Sequence, residues 1–392
     1  MDIQNWYFYL TNPVNILRAV KLFEGIFMAI SVAEISRSTT NFRALVAGSL
    51  EPLVVDIDRS GHYPEGFMRL IGEQGIYNRH TTEGGHDVAG AIDAMSEVSR
   101  VCMSTGFCVW CHDALTWYLD NAEVPETREK WLGPVANGQQ LGGTGLSNGM
   151  KNVADIEALK IHVRPVDGGY IANGTLPWVS NLAPDHVFAA VFNNESSGHR
   201  VMALVDCAAP GFELKQCAEF VALEGSGTYA CHFEEVFIPM DQVISHDAGG
   251  FLPRIRAGFV LLQMGMPLGV IEGCIEIMER MAKTHAHVNG YLDEQPEALR
   301  EELNDLRVAV HALADEVPGN ASDRLFRDIL QVREQGSALS LRASQAAMLH
   351  AGARGYLADA PAQRKLRESY FVAIVTPAIK HIRKELARLE AA

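Results

Sequence analysis

The order of structural patterns along the chain is the feature that most narrows its fold. Helical periodicity predominates from about residue 41 to 137, alternation typical of strands from about 141 to 239, and helical periodicity again after Gly250. This order predicts an α+β protein in which a β domain lies between two helical parts. The predicted domains are an N-terminal helical domain at 41–139, a central β domain at 140–245 and a C-terminal helical bundle at 246–392, with residues 1–40 left as an unplaced N-terminal segment.

The central region contains recognisable strands. Lys160 to Arg164 alternates with period two, and Asp167-Gly168-Gly169 is a hairpin signal after which a strand resumes. Further strands are predicted from His186 to Phe192 and from Arg200 to Val205.

The C-terminal third has the pattern of a helical bundle. Its most regular seam has apolar residues at alternating steps of four and three, at Leu299, Leu303, Leu306, Val310, Leu313 and Val317. Such spacing is typical of a helix packed lengthwise against others. Similar long helical patterns cover Phe251 to His287, Ser322 to His350 and Pro377 to Leu389, which together predict an antiparallel bundle.

Charge and targeting signals limit the function classes. The 392 residues include 33 Lys plus Arg and 48 Asp plus Glu, a net charge of −15, which argues against a general nucleic-acid binder. We recognise no signal peptide. The apolar stretch from Ile16 to Ile35 contains four charged residues, so an amphipathic helix is expected there and not a membrane span. These features predict a cytoplasmic protein.

One cysteine motif has the pattern of a haem attachment site. Cys108-Val109-Trp110-Cys111-His112 matches C-x-x-C-H. It lies within a stretch, Arg100 to Leu119, that has the composition of an apolar helix, and covalent haem attachment requires export. We therefore expect packed thiols and no haem. Since no second Cys/His pair stands at ligand spacing, no metal site is predicted.

Two segments of the β region have residues suited to binding a ligand or cofactor. The first, Leu141 to Asn152, is rich in glycine and hydroxyl residues, so its backbone amides can approach a ligand closely. Its glycines do not fit the G-x-G-x-x-G fingerprint of a Rossmann site. The second segment contains Trp178, whose flat ring suits stacking on an aromatic cofactor, and Ser180, which shares its side of a strand.

In these segments and in the order of its elements, the chain resembles the acyl-CoA dehydrogenases from about residue 41 to 390. The similar motifs are Arg128 to Gly138, Gly169 to Thr175 followed by Trp178-Val179-Ser180-Asn181, His232 to Pro239, and Gly352 to Tyr356. The resemblance implies a helical domain, a central β-barrel or sandwich domain and a C-terminal four-helix bundle. It also implies a flavin-dependent oxidoreductase.

The resemblance implies a flavin site at particular residues. Leu146 and Ser147 correspond to the strand that gives amides and a hydroxyl to the flavin edge, and Trp178 and Ser180 to residues lying against the ring. Gly352 corresponds to the cofactor-binding glycine turn late in the bundle. The implied cofactor is FAD. FMN stays open as the less favoured alternative, because the family's glutamine on the adenine side falls on Leu349 and its usual Arg and Phe-Gly are missing around 284–290.

The chain departs from the family at the catalytic base. The family's Glu before the last helix falls on Thr376, and the alternative Glu position, on the first bundle helix, falls on Phe259. Dehydrogenation next to a thioester needs a base for the α-proton. Displaced bases to consider are His112, Glu368 and His381.

Three functions remain open at this point. The first is α,β-oxidation of an acyl-CoA or acyl-like substrate. The second is a monooxygenase of the same fold, supplied with reduced flavin by a reductase, in which His112, Ser147 and Thr376 would bind peroxide or substrate. The third is a non-catalytic subunit or binding protein. A small-molecule substrate, an electron-transfer partner or flavin reductase, and a homodimer or homotetramer are the expected partners.

Overall fold

The computed structural model describes residues 41–216 and 218–391. The helix expected between Ile16 and Ile35 lies outside the described residues. A first helix, α1, covers residues 41–49. The helices that follow before the sheet are α2 (Val54–Ser60), α3 (Glu65–Glu73), α4 (Val88–Val101), α5 (Met103–Asp120) and α6 (Pro125–Ala136).

The strands form one mixed sheet, and a helix lies between the first and second strands in the sequence. They are β1 (Gly142–Thr144), β2 (Ile161–Val166), β3 (Gly169–Val179), β4 (Val187–Asn194), β5 (Arg200–Asp206), β6 (Phe212–Lys215), β7 (Tyr229–Pro239) and β8 (Val243–Ser245). The helix α7 (Leu146–Val153) follows β1. The sheet order is β6-β7-β3-β2-β4-β5-β8, with β1 paired in parallel to β4.

The sheet is open, so the closed barrel is not the observed form. Its two halves nevertheless curl over a shared core: the ring of Phe188 on β4 lies 5.7 Å from that of Phe212 on β6, and the ring of Phe192 lies 5.8 Å from that of Phe233 on β7. This arrangement corresponds to a sandwich made from one folded sheet. Aromatic burial on both halves holds it together, at roughly 1.5–3 kcal/mol for each fully buried large side chain.

The predicted hairpin is confirmed. β2 and β3 pair antiparallel from Val166 opposite Gly169 onward, and Gly168 takes a φ of +75°, which glycine adopts without steric cost. The strands expected near 186–192 and 200–205 are β4 and β5, which pair antiparallel.

The C-terminal region is helical throughout. Its helices are α8 (Ala248–Leu262), α9 (Gly265–Asn289), α10 (Pro296–Glu316), α11 (Asp323–Ala351), α12 (Pro361–Ile374) and α13 (Ile379–Ala391). The predicted seam on α10 is confirmed, because the six apolar residues that define it are all buried. The helical pattern expected from 251 to 287 is confirmed, as two helices, α8 and α9, separated by a turn at Gln263 and Met264.

The expected helix from Arg100 to Leu119 is interrupted at Cys102. This residue is extended, with φ −142° and ψ 108°, and it joins α4 to α5 without a loop. Cys108 and Cys111 are buried on α5, and burial raises the pKa of both thiols. In the described part of the chain, no three His, Cys, Asp or Glu residues are grouped so as to hold a metal ion.

One helical stretch of the described chain is long and apolar enough to cross a membrane. It is Ala248–Asn289, whose most apolar window has a mean hydropathy of 1.5 and is 94% buried. Packing inside the protein core accounts for this composition.

Candidate functional site

Two hydroxyl groups from distant parts of the sequence meet beside the sheet. Ser147 stands in the first turn of α7, and Thr376 lies between α12 and α13. Ser147 Oγ and Thr376 Oγ1 are 2.7 Å apart, so one hydroxyl donates a hydrogen bond to the other. The structure therefore brings together two of the residues that the sequence singled out.

The glycine-rich segment is a short strand followed by a helix. The expectation that Leu146 and Ser147 lie on a strand is wrong, because both belong to α7. The first N–H groups of a helix lack partners within it, and the Leu146 amide donates instead to Thr144 Oγ1 at 3.2 Å. The same Thr144 hydroxyl lies 2.9 Å from Tyr118 Oη. These contacts fix the start of α7 and, with it, the position of Ser147.

A close backbone approach brings this segment against the end of β3. A Cβ added at Gly143 would lie 2.1 Å from the carbonyl oxygen of Ser180, so no larger residue fits there. Ser180 Oγ is 2.7 Å from Thr228 Oγ1, which is in turn 2.8 Å from Ser226 Oγ. A row of three hydroxyls thus lies beside the glycine-rich segment.

Trp178 presents its ring to the outside of β3. The residue is 63% exposed, while the next residue, Val179, is buried. The ring centroids of Trp178 and Phe220 lie 6.4 Å apart in an edge-to-face arrangement. An exposed tryptophan at the end of a strand offers a large apolar face for stacking.

A cleft of about 810 Å³ opens beside this tryptophan. Phe220, which contacts Trp178, and Thr228, which contacts Ser180, both line it, together with Tyr63 and Arg367. Its volume lies within the usual range for small-molecule and cofactor sites.

His112 is fully buried on α5, and both of its ring nitrogens are engaged. Nε2 lies 2.9 Å from the carbonyl oxygen of Val135, and Nδ1 accepts from the Gly142 amide at 3.3 Å. Since a carbonyl only accepts, Nε2 carries the proton and the ring is neutral. Burial lowers the pKa of His112 to about 4. This geometry anchors β1 to α5, and it disfavours the predicted catalytic role, which would need a free nitrogen.

The other base candidates differ in their surroundings. Glu368 is buried on α12, where Oε2 accepts from Lys365 Nζ at 2.8 Å and Oε1 from the Met103 amide at 3.2 Å. His381 is also mostly buried, but its Nδ1 has no hydrogen-bond partner, and burial lowers its pKa. Among the three candidates, His381 alone keeps an unpaired ring nitrogen.

Gly352 ends α11 with a φ of +57°, and an added Cβ there would meet nothing within 4 Å. The residue therefore faces open space. The exposed side chains of Leu349 and Tyr356 lie near it in sequence, whereas the Ser147–Thr376 pair and the Trp178–Ser180 pair lie on other elements. The structure does not join Gly352 to either pair, so its predicted role in cofactor binding stays a prediction.

Sequence reasoning missed two buried residues next to Thr376. Gln263 Nε2 donates to the Thr376 carbonyl oxygen at 2.9 Å, and Gln263 Oε1 accepts from Arg333 Nε at 2.9 Å. One signal was available: Arg333 shares its helix face with the small residues Gly336, Ser337 and Ser340, which is unusual for a solvated arginine.

The described residues fit a flavin. Trp178 supplies an uncovered aromatic face, and Ser180, two residues later in the chain, joins its hydroxyl to that of Thr228. The Ser147–Thr376 pair supplies further donors and acceptors on the side of the C-terminal helices. These groups are of the types that hold the ring and the polar edge of such a cofactor.

Comparison with known proteins agrees with this architecture. The family model for the acyl-CoA dehydrogenase N-terminal domain matches residues 34–139. A short-chain specific acyl-CoA dehydrogenase of Clostridium acetobutylicum is 22% identical over 354 residues, covering 83% of this chain and 90% of that protein. Isovaleryl-CoA dehydrogenase of Oryza sativa subsp. japonica is 24% identical over 345 residues, covering 82% of each.

Solved structures share the fold across almost the whole chain. Butyryl-CoA dehydrogenase from Megasphaera elsdenii matches with a TM-score of 0.75 and 18% identity, over 90% of this chain and 98% of that chain. A dibenzothiophene monooxygenase from Paenibacillus sp. A11-2 matches with a TM-score of 0.76 and 14% identity, over 90% and 96%. The fold is that of the flavin-dependent acyl-CoA dehydrogenases and their structural relatives.

Residues 34–139 thus match the acyl-CoA dehydrogenase N-terminal domain, and the chain as a whole is similar to acyl-CoA dehydrogenases in sequence and in fold.

Proposed function

We propose that the protein is a flavin-dependent oxidoreductase of the acyl-CoA dehydrogenase type, acting on the α,β bond of an acyl-CoA or acyl-like substrate. The observation that carries the proposal is the exposed ring of Trp178, which stands beside a row of hydroxyls and a cleft of about 810 Å³ in a chain of this fold. We propose FAD as the cofactor, in preference to FMN.

Flavin, when bound, supplies the two-electron acceptor that takes the β-hydrogen with its electron pair. The protein has to remove the α-proton, and Thr376 cannot act as a carboxylate does. We propose that His381, whose Nδ1 is unpaired, is the base that removes this proton. We propose that the hydroxyl of Thr376 orients the substrate. Glu385, one helical turn after His381, has an unpaired buried oxygen, and it favours a positive charge on this ring.

A second candidate function is oxygenation with reduced flavin supplied by a reductase. The observation that favours it is the Ser147–Thr376 hydroxyl pair, because by the sequence resemblance Thr376 corresponds to the catalytic Glu of the dehydrogenases. The similarity in fold to a dibenzothiophene monooxygenase is consistent with this alternative.

Anaerobic titration of the flavin-loaded protein with a panel of acyl-CoA compounds separates these functions. A dehydrogenase loses its flavin absorbance when a substrate is added without oxygen. A monooxygenase ignores the panel and consumes oxygen only when reduced flavin is supplied. A protein that does neither, or that never takes up flavin, is a non-catalytic subunit or binding protein.

The role of His381 has a matched test. His381→Gln is expected to slow bleaching by an active acyl-CoA at least tenfold, because a proton transfer catalyst contributes about 10²–10⁴ in rate. His311→Gln is the control, since His311 pairs with Asp93 on helices outside the site. Equal rates in the two variants would remove His381 from the mechanism.

A second copy of the chain is the partner that we propose at one end of the bundle. Asn289 Nδ2 donates to the His350 carbonyl oxygen at 3.2 Å, which brings the ends of α9 and α11 together. Close to this contact in sequence, Tyr291 is 90% exposed and Tyr356 is 85% exposed. Light scattering of the purified protein would distinguish a dimer or tetramer from a monomer.

A further inference from the structure

Arg333 is a cation buried without a counter-charge. Its side chain has no exposed surface, and it is among the largest fully buried side chains of the described residues. Nε donates to Gln263 Oε1, Nη2 to the Val372 carbonyl oxygen at 2.7 Å, and Nη1 to Ser337 Oγ. All three acceptors are uncharged, and within the described chain no carboxylate forms an ion pair with it.

Such an arrangement is costly, because a buried charge without an opposite charge loses its hydration and regains only hydrogen bonds. Burial lowers the pKa of Arg333 to about 10, so the guanidinium is still protonated at neutral pH. A neutral side chain of similar size would pack there without this cost. The position therefore calls for a role that needs an obligate hydrogen-bond donor.

The donor property of Arg333 decides how Gln263 is oriented. A guanidinium only donates, so the Gln263 amide has to present its oxygen to Arg333. Its Nε2 then points the other way and donates to the Thr376 carbonyl oxygen at 2.9 Å. Gln263 is itself fully buried, at the turn between α8 and α9, where the backbone keeps right-handed helical dihedral angles.

Thr376 is held from two sides as a result. Its carbonyl oxygen accepts from Gln263, and its hydroxyl lies 2.7 Å from Ser147 Oγ. In the segment that connects α12 to α13, the Val375 amide donates to the Phe371 carbonyl oxygen at 2.8 Å, and the Ala378 carbonyl oxygen accepts from the Ile382 amide at 2.9 Å. The side-chain contacts of Thr376 hold the turn between these two backbone bonds.

We propose that Arg333 and Gln263 are positioning residues that hold Thr376 against Ser147 and so set the hydroxyl pair at the cofactor. The part that concerns the cofactor rests on the proposed function. The positioning of Thr376 itself does not depend on what the site binds.

Hydrogen exchange of the protein without added flavin tests the positioning directly. Gln263→Leu removes both bonds of the amide with a similar volume. The backbone amides at 375–379, which are those of Val375, Thr376, Ala378 and Ile379 because Pro377 has none, are expected to exchange about tenfold faster, as the loss of one such hydrogen bond allows. Ser344→Ala is the control, because Ser344 Oγ joins the same helices α11 and α12 through Ser369 Oγ at 2.8 Å, away from Gln263. It is expected to lower the melting temperature without changing exchange at 375–379.

A double-mutant cycle tests the dependence on Arg333. Arg333→Met and Gln263→Leu are each expected to speed hydrogen exchange at 375–379, by similar factors. The double variant is expected to exchange no faster than either single variant, because both residues act through one chain of contacts. Arg333→Lys keeps a donor and is expected to restore part of the protection. Additive effects, or exchange in Gln263→Leu equal to that of the unmodified chain, would overturn the proposal.

A second measurement links the contacts to the cofactor. In the flavin-loaded protein, Gln263→Leu is expected to shift the flavin midpoint potential, whereas Ser344→Ala leaves it unchanged. If the unmodified chain takes up no flavin but exchange at 375–379 responds as expected, the proposed function fails and the positioning of Thr376 stands. If flavin binds and neither the potential nor the exchange changes in Gln263→Leu, the positioning fails and the proposed function stands.

Discussion

Lys365 Nζ donates to Glu368 Oε2 at 2.8 Å, and both side chains are almost completely buried. The pair lies on α12 and reaches the junction at Cys102, where α4 meets α5. Lys365 Nζ also donates to the Ser99 carbonyl oxygen at 2.8 Å, and Glu368 Oε1 accepts from the Met103 amide. One ion pair thus supplies hydrogen-bond partners to a backbone carbonyl in the last turn of α4 and to a backbone amide in the first turn of α5.

Breaking this pair from one side is expected to destabilise the protein strongly. Glu368→Gln leaves the buried Lys365 ammonium without its counter-charge, a change that typically costs about 3–5 kcal/mol in the free energy of unfolding. Lys365→Met is expected to cost less, because Glu368 keeps Arg364 at 3.6 Å. The double variant is expected to lose less than the sum of the two, because both members of the pair are removed together. Chemical denaturation measures each value. Glu302→Gln, which removes a partner of exposed Arg342, is the control at under about 1 kcal/mol.

The buried histidines predict loss of stability in acid. Burial lowers the pKa of both His80 and His112 to about 4, from 6.5 in the unfolded chain. A lowered pKa contributes stability that is present above 6.5 and lost as the pH falls toward 4, at roughly 3 kcal/mol for each ring. His112→Asn is expected to flatten this slope in denaturation curves taken between pH 7 and 4. His311→Asn is the control, since the bond to Asp93 raises the pKa of His311 and gives the opposite sign.

Asp113 predicts the opposite pH dependence of folding stability, a loss as the pH rises. Both of its carboxyl oxygens are buried without hydrogen-bond partners, and burial raises its pKa well above 3.8. A raised pKa contributes stability that is present below the unfolded value and lost as the pH rises through the folded one. Asp113→Asn cannot ionise, so its stability relative to the unmodified chain is expected to increase from pH 4 to pH 8. A constant difference across that range would show that Asp113 ionises as it does in the unfolded chain.

Trp178 predicts a loss of flavin binding without a loss of stability. Its ring is 63% exposed, so Trp178→Ala is expected to change the free energy of unfolding by no more than about 0.5 kcal/mol. Removal of the stacking face is expected to weaken flavin binding about tenfold, and Trp178→Phe to restore part of it. Flavin absorbance after gel filtration measures both variants. Undiminished flavin content in Trp178→Ala would contradict the placement of the ring.

Local sequence signals predicted the elements that depend on local chemistry. Gly168 marks a turn that needs a positive φ, and the seam from Leu299 to Val317 marks a packed helix face. The interruption at Gln263 was not predictable, because the apolar pattern continues across it. The start of α7 was missed for a related reason: glycine and serine favour loops by propensity, and contacts with Thr144 and β4 override that preference.

The candidate site was predicted in part. Ser147 and Thr376 were identified separately, but their contact joins residues 229 positions apart and follows only from the packing of α7 on the C-terminal helices. Arg333 was missed because arginine is usually exposed, and the small residues on its helix face do not identify the partners that it meets when α8, α11 and α12 are assembled. His112 was predicted from its chemical type, which says nothing of the Val135 and Gly142 contacts that occupy its nitrogens.

The open sheet has a further consequence for association between copies of the protein. Its order ends at β6 and β8, and unpaired strand edges are templates for aggregation. Both edge strands are short, with four residues in Phe212–Lys215 and three in Val243–Ser245. The first also carries Glu213 and Lys215, which form an ion pair at 2.8 Å. Short edges, and on β6 charged ones, resist the addition of a further strand, so the sheet can stay open without offering a long template for another copy.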